Sequence, residues 1–168
     1  MSFHFESVDR FVAGTIGLPG EREFFIQAKR AERVVTVAVE KMQVAALSDR
    51  LERLLTDLRR SDLALKVISA AVDNEALDTP IEPEFATGSM SISWDEASST
   101  ITVELYEVGS DEESSDSFLK VSLDLAQANA FVKRSKALVS SGRPPCPFCA
   151  IPVDPQGHLC SRANGYRR

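Results

Sequence analysis

Glu23-Phe-Phe-Ile-Gln-Ala-Lys29 and Val34-Val-Thr-Val-Ala-Val39, separated by the short turn around Arg30-Ala-Glu32, decide the fold class. In the first, Phe24, Ile26 and Ala28 alternate with Phe25, Gln27 and Lys29, which predicts a half-buried strand. The second is β-branched, with Val35, Val37 and Val39 on one face. Upstream, Phe11-Val-Ala-Gly-Thr-Ile16 reads as a further strand. It leads into Gly17-Leu-Pro-Gly20, where Pro19 precedes Gly20 in the order a type II turn needs. Downstream, Leu47, Leu51, Leu54, Leu55 and Leu58 form one apolar stripe at helical spacing. Asp49, Arg50, Glu52, Arg53 and Asp57 lie on the other side. The first half is therefore strand, strand, strand, helix.

The second half repeats that order. Met90, Ile92 and Trp94 alternate with serines, Ile101, Val103 and Leu105 with Thr100, Thr102 and Glu104, and Leu119, Val121 and Leu123 with Lys120, Ser122 and Asp124. Leu125, Ala128, Val132, Ser135 and Val139 then follow a helical stripe joined by Phe131 and Leu138, with Gly142 as its stop and Pro144 and Pro145 beyond. Short residue matches join the halves. Phe11-Val-Ala-Gly-Thr-Ile16 parallels Phe85-Ala-Thr-Gly-Ser-Met90, and Val39-Glu40 with Gln43 parallels Leu123-Asp124 with Gln127. These matches predict an internal βββα duplication. Between the halves, Leu63 to Val72 fits a helix better than a strand, and Asp78-Thr-Pro-Ile-Glu-Pro83 reads as a linker. Ser110-Asp-Glu-Glu-Ser-Ser-Asp-Ser117 has no core-forming residue and reads as a solvated loop.

The expected fold class is α+β. Two βββα units, about 1–60 and 85–142 with a linker over 61–84, form one domain over residues 1–142. Their helices cover one face of an antiparallel sheet, and residues 143–168 form a separate tail.

That tail carries the chemistry. It reads Pro144-Pro-Cys-Pro-Phe-Cys-Ala-Ile-Pro-Val-Asp-Pro-Gln-Gly-His-Leu-Cys160. Cys146 and Cys149 form a C-x-x-C pair that grips one ion from a tight knuckle. His158 and Cys160 form an H-x-C pair, and Asp154-Pro-Gln-Gly157 is a turn that folds the second pair onto the first. Three thiolates and one imidazole make a closed shell for one structural Zn²⁺, with no open position for a substrate. The shell sums to −1 with its metal, and Arg143 and Arg162 stand nearby to offset it. The spacing matches neither C₂H₂ fingers nor the usual retroviral knuckle. Cys146-Pro-Phe-Cys149 also looks like a glutaredoxin dithiol, but Pro152 and Pro155 forbid the helix that would lower the thiol pKa there.

Composition excludes several other classes. No run approaches the length of a membrane span. The first twenty residues lack an apolar signal core, which predicts a cytoplasmic protein with reduced cysteines. There is no P-loop, G-x-G-x-x-G, G-x-S-x-G or H-E-x-x-H, so no catalytic residue is assigned. With His158 on zinc, only His4 remains as a neutral-pH base, and it reads as a surface or strand residue rather than a catalytic one. Trp94 reads as core. The net charge of −6 divides into −12 over residues 1–132 and +6 over residues 133–168, from seven basic residues against Asp154. Such asymmetry fits self-attraction, an acidic partner or nucleic acid.

The chain resembles a family of actinobacterial conserved hypothetical proteins classed as a domain of unknown function. The resemblance rests on Cys146, Pro147, Cys149, Pro152, Asp154, Pro155, Gly157, His158, Cys160, Arg162, Asn164, Gly165, Tyr166 and Arg167. It extends to Phe85–Asp95 and the Gly142-Arg-Pro-Pro145 approach. Ala150 and Ser161 depart from the glycine and proline usual in that family. The resemblance implies a bacterial cytoplasmic protein without an assigned activity.

The functional expectation is a non-enzymatic adaptor or regulator whose zinc tail binds another protein. Arg143, Arg162, Asn164, Tyr166, Arg167 and Arg168 are the candidate partner contacts. The alternatives are nucleic-acid binding through those arginines and thiol redox chemistry at the C-x-x-C.

Overall fold

The structure is a computed structural model that describes residues 2–18, 20–61, 72–109 and 117–141. Seven strands and two helices follow in the order β1 (Ser2–Phe5), β2 (Arg10–Ile16), β3 (Glu23–Arg30), β4 (Arg33–Val39), α1 (Lys41–Ser61), β5 (Pro83–Asp95), β6 (Thr100–Glu107), β7 (Phe118–Leu123) and α2 (Leu125–Ser140). The fold is mixed α+β, with one mostly antiparallel sheet of order β1-β7-β6-β5-β4-β3-β2. Two adjacent meanders, β2-β3-β4 and β5-β6-β7, meet where β4 and β5 run parallel.

β1 lies outside the strands read from the sequence, because four residues carry too little periodicity to register. It pairs parallel to β7, as β5 does to β4. This placement bends the sheet. Laid flat, seven strands would hold β1 and β2 about 29 Å apart at ~4.8 Å per gap. Yet only residues 6–9 join β1 to β2, and a chain from Phe5 to Arg10 spans at most ~18 Å. The sheet must curl until its edges approach. Accordingly, the Arg33 guanidinium at the start of β4 lies 4.6 Å over the Phe5 ring of β1 and donates to His4 O at 3.3 Å. α2 packs on β2 at one edge and touches β6 and β7 near the other.

The concave face holds the core. Phe11 and Ala13, Phe24 and Ile26, Val35 and Val37, Ile101 and Val103, and Leu119 and Val121 point inward from successive strands. Val44, Leu47, Leu51 and Leu55 of α1 and Leu125, Ala128, Phe131 and Val132 of α2 close the core from the helix side. Phe11 and Phe131 meet at 4.9 Å between ring centroids. Trp94 packs half-buried against this cluster, as expected.

β3 differs from expectation. Phe24 through Ala28 are all buried, so both faces of the strand are covered. The cover on the outer face is the stretch read as a linker. Residues 72–82 cross the outside of β2, β3 and β4 as a strap. Buried Gln27 is its anchor: its amide accepts from Asp78 N at 2.8 Å and donates to Asp78 O at 2.9 Å and Thr36 Oγ1 at 3.0 Å. Leu77 presses against Gly14, where any Cβ would come within 2.5 Å of its side chain.

The turns follow local chemistry. Glu21 N donates to Leu18 O at 2.9 Å and Gly20 sits at φ 92°, as a type II turn requires. Ala31, in the β3–β4 hairpin, sits at φ 53°. Its N–H donates to the Asp9 carboxylate at 2.7 Å, which holds an alanine where glycine would be easier. Asp124 and Gln127 form a reciprocal capping box at the start of α2. At α1, Gln43 Oε1 accepts from Glu40 N at 2.8 Å. Among the described residues, no helix is long and apolar enough to cross a membrane.

Two substitutions test this backbone reading by chemical denaturation. Gly88→Ala should destabilise by about 1–3 kcal/mol, because its Cβ would sit 2.8 Å from the Val108 Cα at the β5–β6 register shift. Ala31→Gly should change stability in the opposite direction, by up to about 1 kcal/mol. An Ala31→Gly protein that is less stable than the parent would contradict the hairpin assignment.

Candidate functional site

Every residue that the sequence assigns to the tail lies outside the described residues. This holds for Cys146, Cys149, His158 and Cys160, and for Arg143, Arg162, Asn164, Tyr166, Arg167 and Arg168. The same is true of the helix expected over Leu63 to Val72, except Val72 itself, which is not helical, and of residues 110–116 of the acidic loop. Among the described residues, no group of three or more His, Cys, Asp or Glu side chains is placed to hold a metal ion. His4 is exposed on β1.

Part of the basic C-terminal segment is described, and it serves the body. Arg134 on α2 reaches around the free edge of β2. It donates to Ala13 O at 2.8 Å, Asp73 O at 2.5 Å and Glu75 O at 2.8 Å, and lies 3.3 Å from Asp73 Oδ1. One guanidinium thus caps an edge carbonyl and ties the strap to the helix layer. Lys136 pairs with Glu52 of α1 at 2.6 Å and lies 3.8 Å from Asp49. Self-attraction therefore accounts for these cations, and the basic excess of residues 142–168 is smaller: four arginines against Asp154.

Arg10 completes the strap's charged lock. Its side chain, 13% exposed, binds Asp73 Oδ2 at 2.5 Å and Asp78 Oδ2 at 3.2 Å, and donates to Glu75 O and Ala76 O. Lys29 adds a contact to Asp78 at 3.2 Å. Hydrogen bonding to Arg10 holds the Asp73 carboxyl below the ordinary carboxylate value, and Lys29 does the same for Asp78. Asp73 in turn raises Arg10, while burial lowers Arg134. Arg10, Lys29, Arg134, Asp73 and Asp78 each have partners within the fold, which gives the cluster a structural role. Sequence reading missed it because Arg10 and Asp73 are far apart in the chain and carry no local motif.

At the other end of the same outer face lies an open groove of about 740 Å³. Ile16, Phe25, Ala38, Ile81 and Pro83 supply apolar walls, and Arg22, Glu23, Glu40 and Lys41 form a charged rim. Its size is that of a ligand or peptide site. Arg22 is fixed there by stacking 5.0 Å over Phe24 and by donating to Leu138 O and Ser141 Oγ, both at 3.2 Å, at the C-terminal end of α2. A smaller recess of about 280 Å³ under the strap is bordered by Glu32, Asp78, Glu82 and Glu84.

The chain belongs to the family described as "Protein of unknown function (DUF3090)", which matches residues 3–160. The match takes in the body and the tail through Cys160. No curated protein and no solved structure matches the chain.

Arg134→Met should expose the edge of β2, leave carbonyls without a donor and cost on the order of 1–3 kcal/mol in urea unfolding. Amide exchange in residues 72–78 should accelerate more than in α1; uniform acceleration would mean that Arg134 does not hold the strap. Acid should act on the same lock. Both carboxyls bind protons more weakly folded than unfolded, so their stabilisation is complete above the ordinary value of 3.8 and is lost as pH falls below it. In Asp73→Asn, Asp78→Asn protein, that acid-dependent loss of strap protection should shrink.

Proposed function

We propose that this family member is a non-enzymatic cytoplasmic adaptor or regulatory protein whose C-terminal tail binds one structural Zn²⁺ for protein interaction. The observation that carries the reading is the donor set: Cys146 and Cys149 at C-x-x-C spacing, and His158 and Cys160 at H-x-C spacing across the Asp154–Gly157 turn. Three sulfurs and one imidazole fit zinc by charge and softness, and they fill a tetrahedron. A 26-residue tail has too few apolar groups to order itself, so its folding draws on the metal. The metal would supply rigidity rather than reactivity. Arg143, Arg162, Asn164, Tyr166, Arg167 and Arg168 would then present the partner surface.

The body is compatible with this role. Among the described residues, the lining of the large groove contains no His, Cys or Ser, the side chains that most often begin covalent or general-base chemistry. The nucleic-acid alternative would rest on Arg143, Arg162, Arg167 and Arg168, because Arg134 and Lys136 pair with Asp73, Glu52 and Asp49.

We also infer that the body arose by duplication of a βββα unit. Supporting this, Gln43 Oε1 accepts from Glu40 N while its Nε2 donates to Thr87 O and Gly88 O of the next parallel strand. Gln127 does the same at Asp124 N and Val8 O, just beyond β1. Gly14 and Gly88, matched in the sequence comparison of the halves, each sit where a Cβ would collide with a neighbour: the Leu77 side chain at Gly14, and the Val108 backbone just beyond β6 at Gly88.

Elemental analysis of untagged protein should find about one zinc per chain, and Cys149→Ser should lose it. Absence of metal together with reactive, low-pKa thiols would overturn the structural role and favour the redox alternative.

A further inference from the structure

We infer that the groove beside Arg22 is the docking site for the chain's own tail, with Phe148, Ile151 and Val153 against its apolar walls. The argument begins with where the chain leaves the body. The Arg22 side chain, on the groove rim, donates to Leu138 O and Ser141 Oγ at the last described residues of α2. Residues 142–168 therefore start beside the groove. The groove also has apolar surface to cover. Ile16 on its wall is 43% exposed, and Leu18, in the turn between the lining residues Ile16 and Gly20, is 71% exposed. Apolar surface of this kind marks an interface.

The tail has the chemistry to match. Residues 144–153 are Pro144-Pro-Cys-Pro-Phe-Cys-Ala-Ile-Pro-Val153, a proline-rich run without an Asp, Glu, Lys or Arg. Prolines lower the ordering cost of an extended segment laid in a groove. The strap already sets the precedent: residues 72–82 cover the other end of the same face. Tethering decides between the tail and a second copy. A short flexible connection gives an effective concentration of roughly millimolar, well above that of a free protein chain in a dilute preparation. Docked in this way, the proposed zinc element and the body would present one composite surface to a partner.

Photocrosslinking on the full-length chain tests this. Benzoylphenylalanine replaces Ile16 in one protein and Ser98, in the turn at the far end of the 13-residue strand β5, in a control. Irradiated site 16 should form intramolecular cross-links to peptides from residues 143–153, at a yield independent of protein concentration. The yield should fall at least fivefold in Phe148→Ser, Ile151→Ser protein. Cross-links to a second copy that grow with concentration, or tail cross-links no more frequent than from site 98, would overturn the inference. Zinc content is a separate readout, so docking and metal binding fail independently.

Discussion

The four-residue link between β1 and β2 is the constraint on which the architecture depends. These strands sit at opposite ends of the sheet order, and so short a link cannot span a flat seven-stranded sheet. Curling gives the sheet an inside and an outside. The inside receives both helices and nearly all the large apolar side chains. It also brings α2 against β2, which places Arg134 where it can cap the β2 edge. An open edge is a template for unwanted pairing, and a buried guanidinium donating into it is one way to close it.

The outside is where a second layer is needed, and the chain provides it without a helix or strand. Phe25, Gln27 and Thr36 would face water on a bare sheet, but the strap buries them. A side-chain amide does for Asp78 what a neighbouring strand would do, accepting from its N–H and donating to its carbonyl. Ion pairs from Arg10, Lys29 and Arg134 hold the ends. Because each pair is only partly exposed and several share one carboxylate, the network is stiffer than isolated surface pairs would be. The uncovered remainder of the face is the groove.

Two views of the C-terminal charge meet here. Taken as a linear run, residues 133–168 form a cationic arm. In three dimensions its first cations belong to α2 and neutralise acids of the body. What stays with residues 142–168 is a smaller positive excess, four arginines against Asp154.

The sequence by itself determined the α+β class, six of the seven strands, both helices, the Leu18–Glu21 turn and the Gln43 and Gln127 positions. Each of these rests on local periodicity or on bonds within a few residues. The proposed metal donor set rests on local spacing too: Cys146, Cys149, His158 and Cys160 fall within fifteen residues. Only the tertiary structure decided that β1 closes against β7, that β3 is covered on both faces and that residues 72–82 are a strap. It alone brought Arg10, Asp73 and Arg134 together, and it placed the groove beside the end of α2. Those features come from contacts between residues about 50 or more positions apart, or from sheet curvature, and neither leaves a period in the chain. Pairing across such distances is set by how the whole sheet closes, a property that no single segment carries.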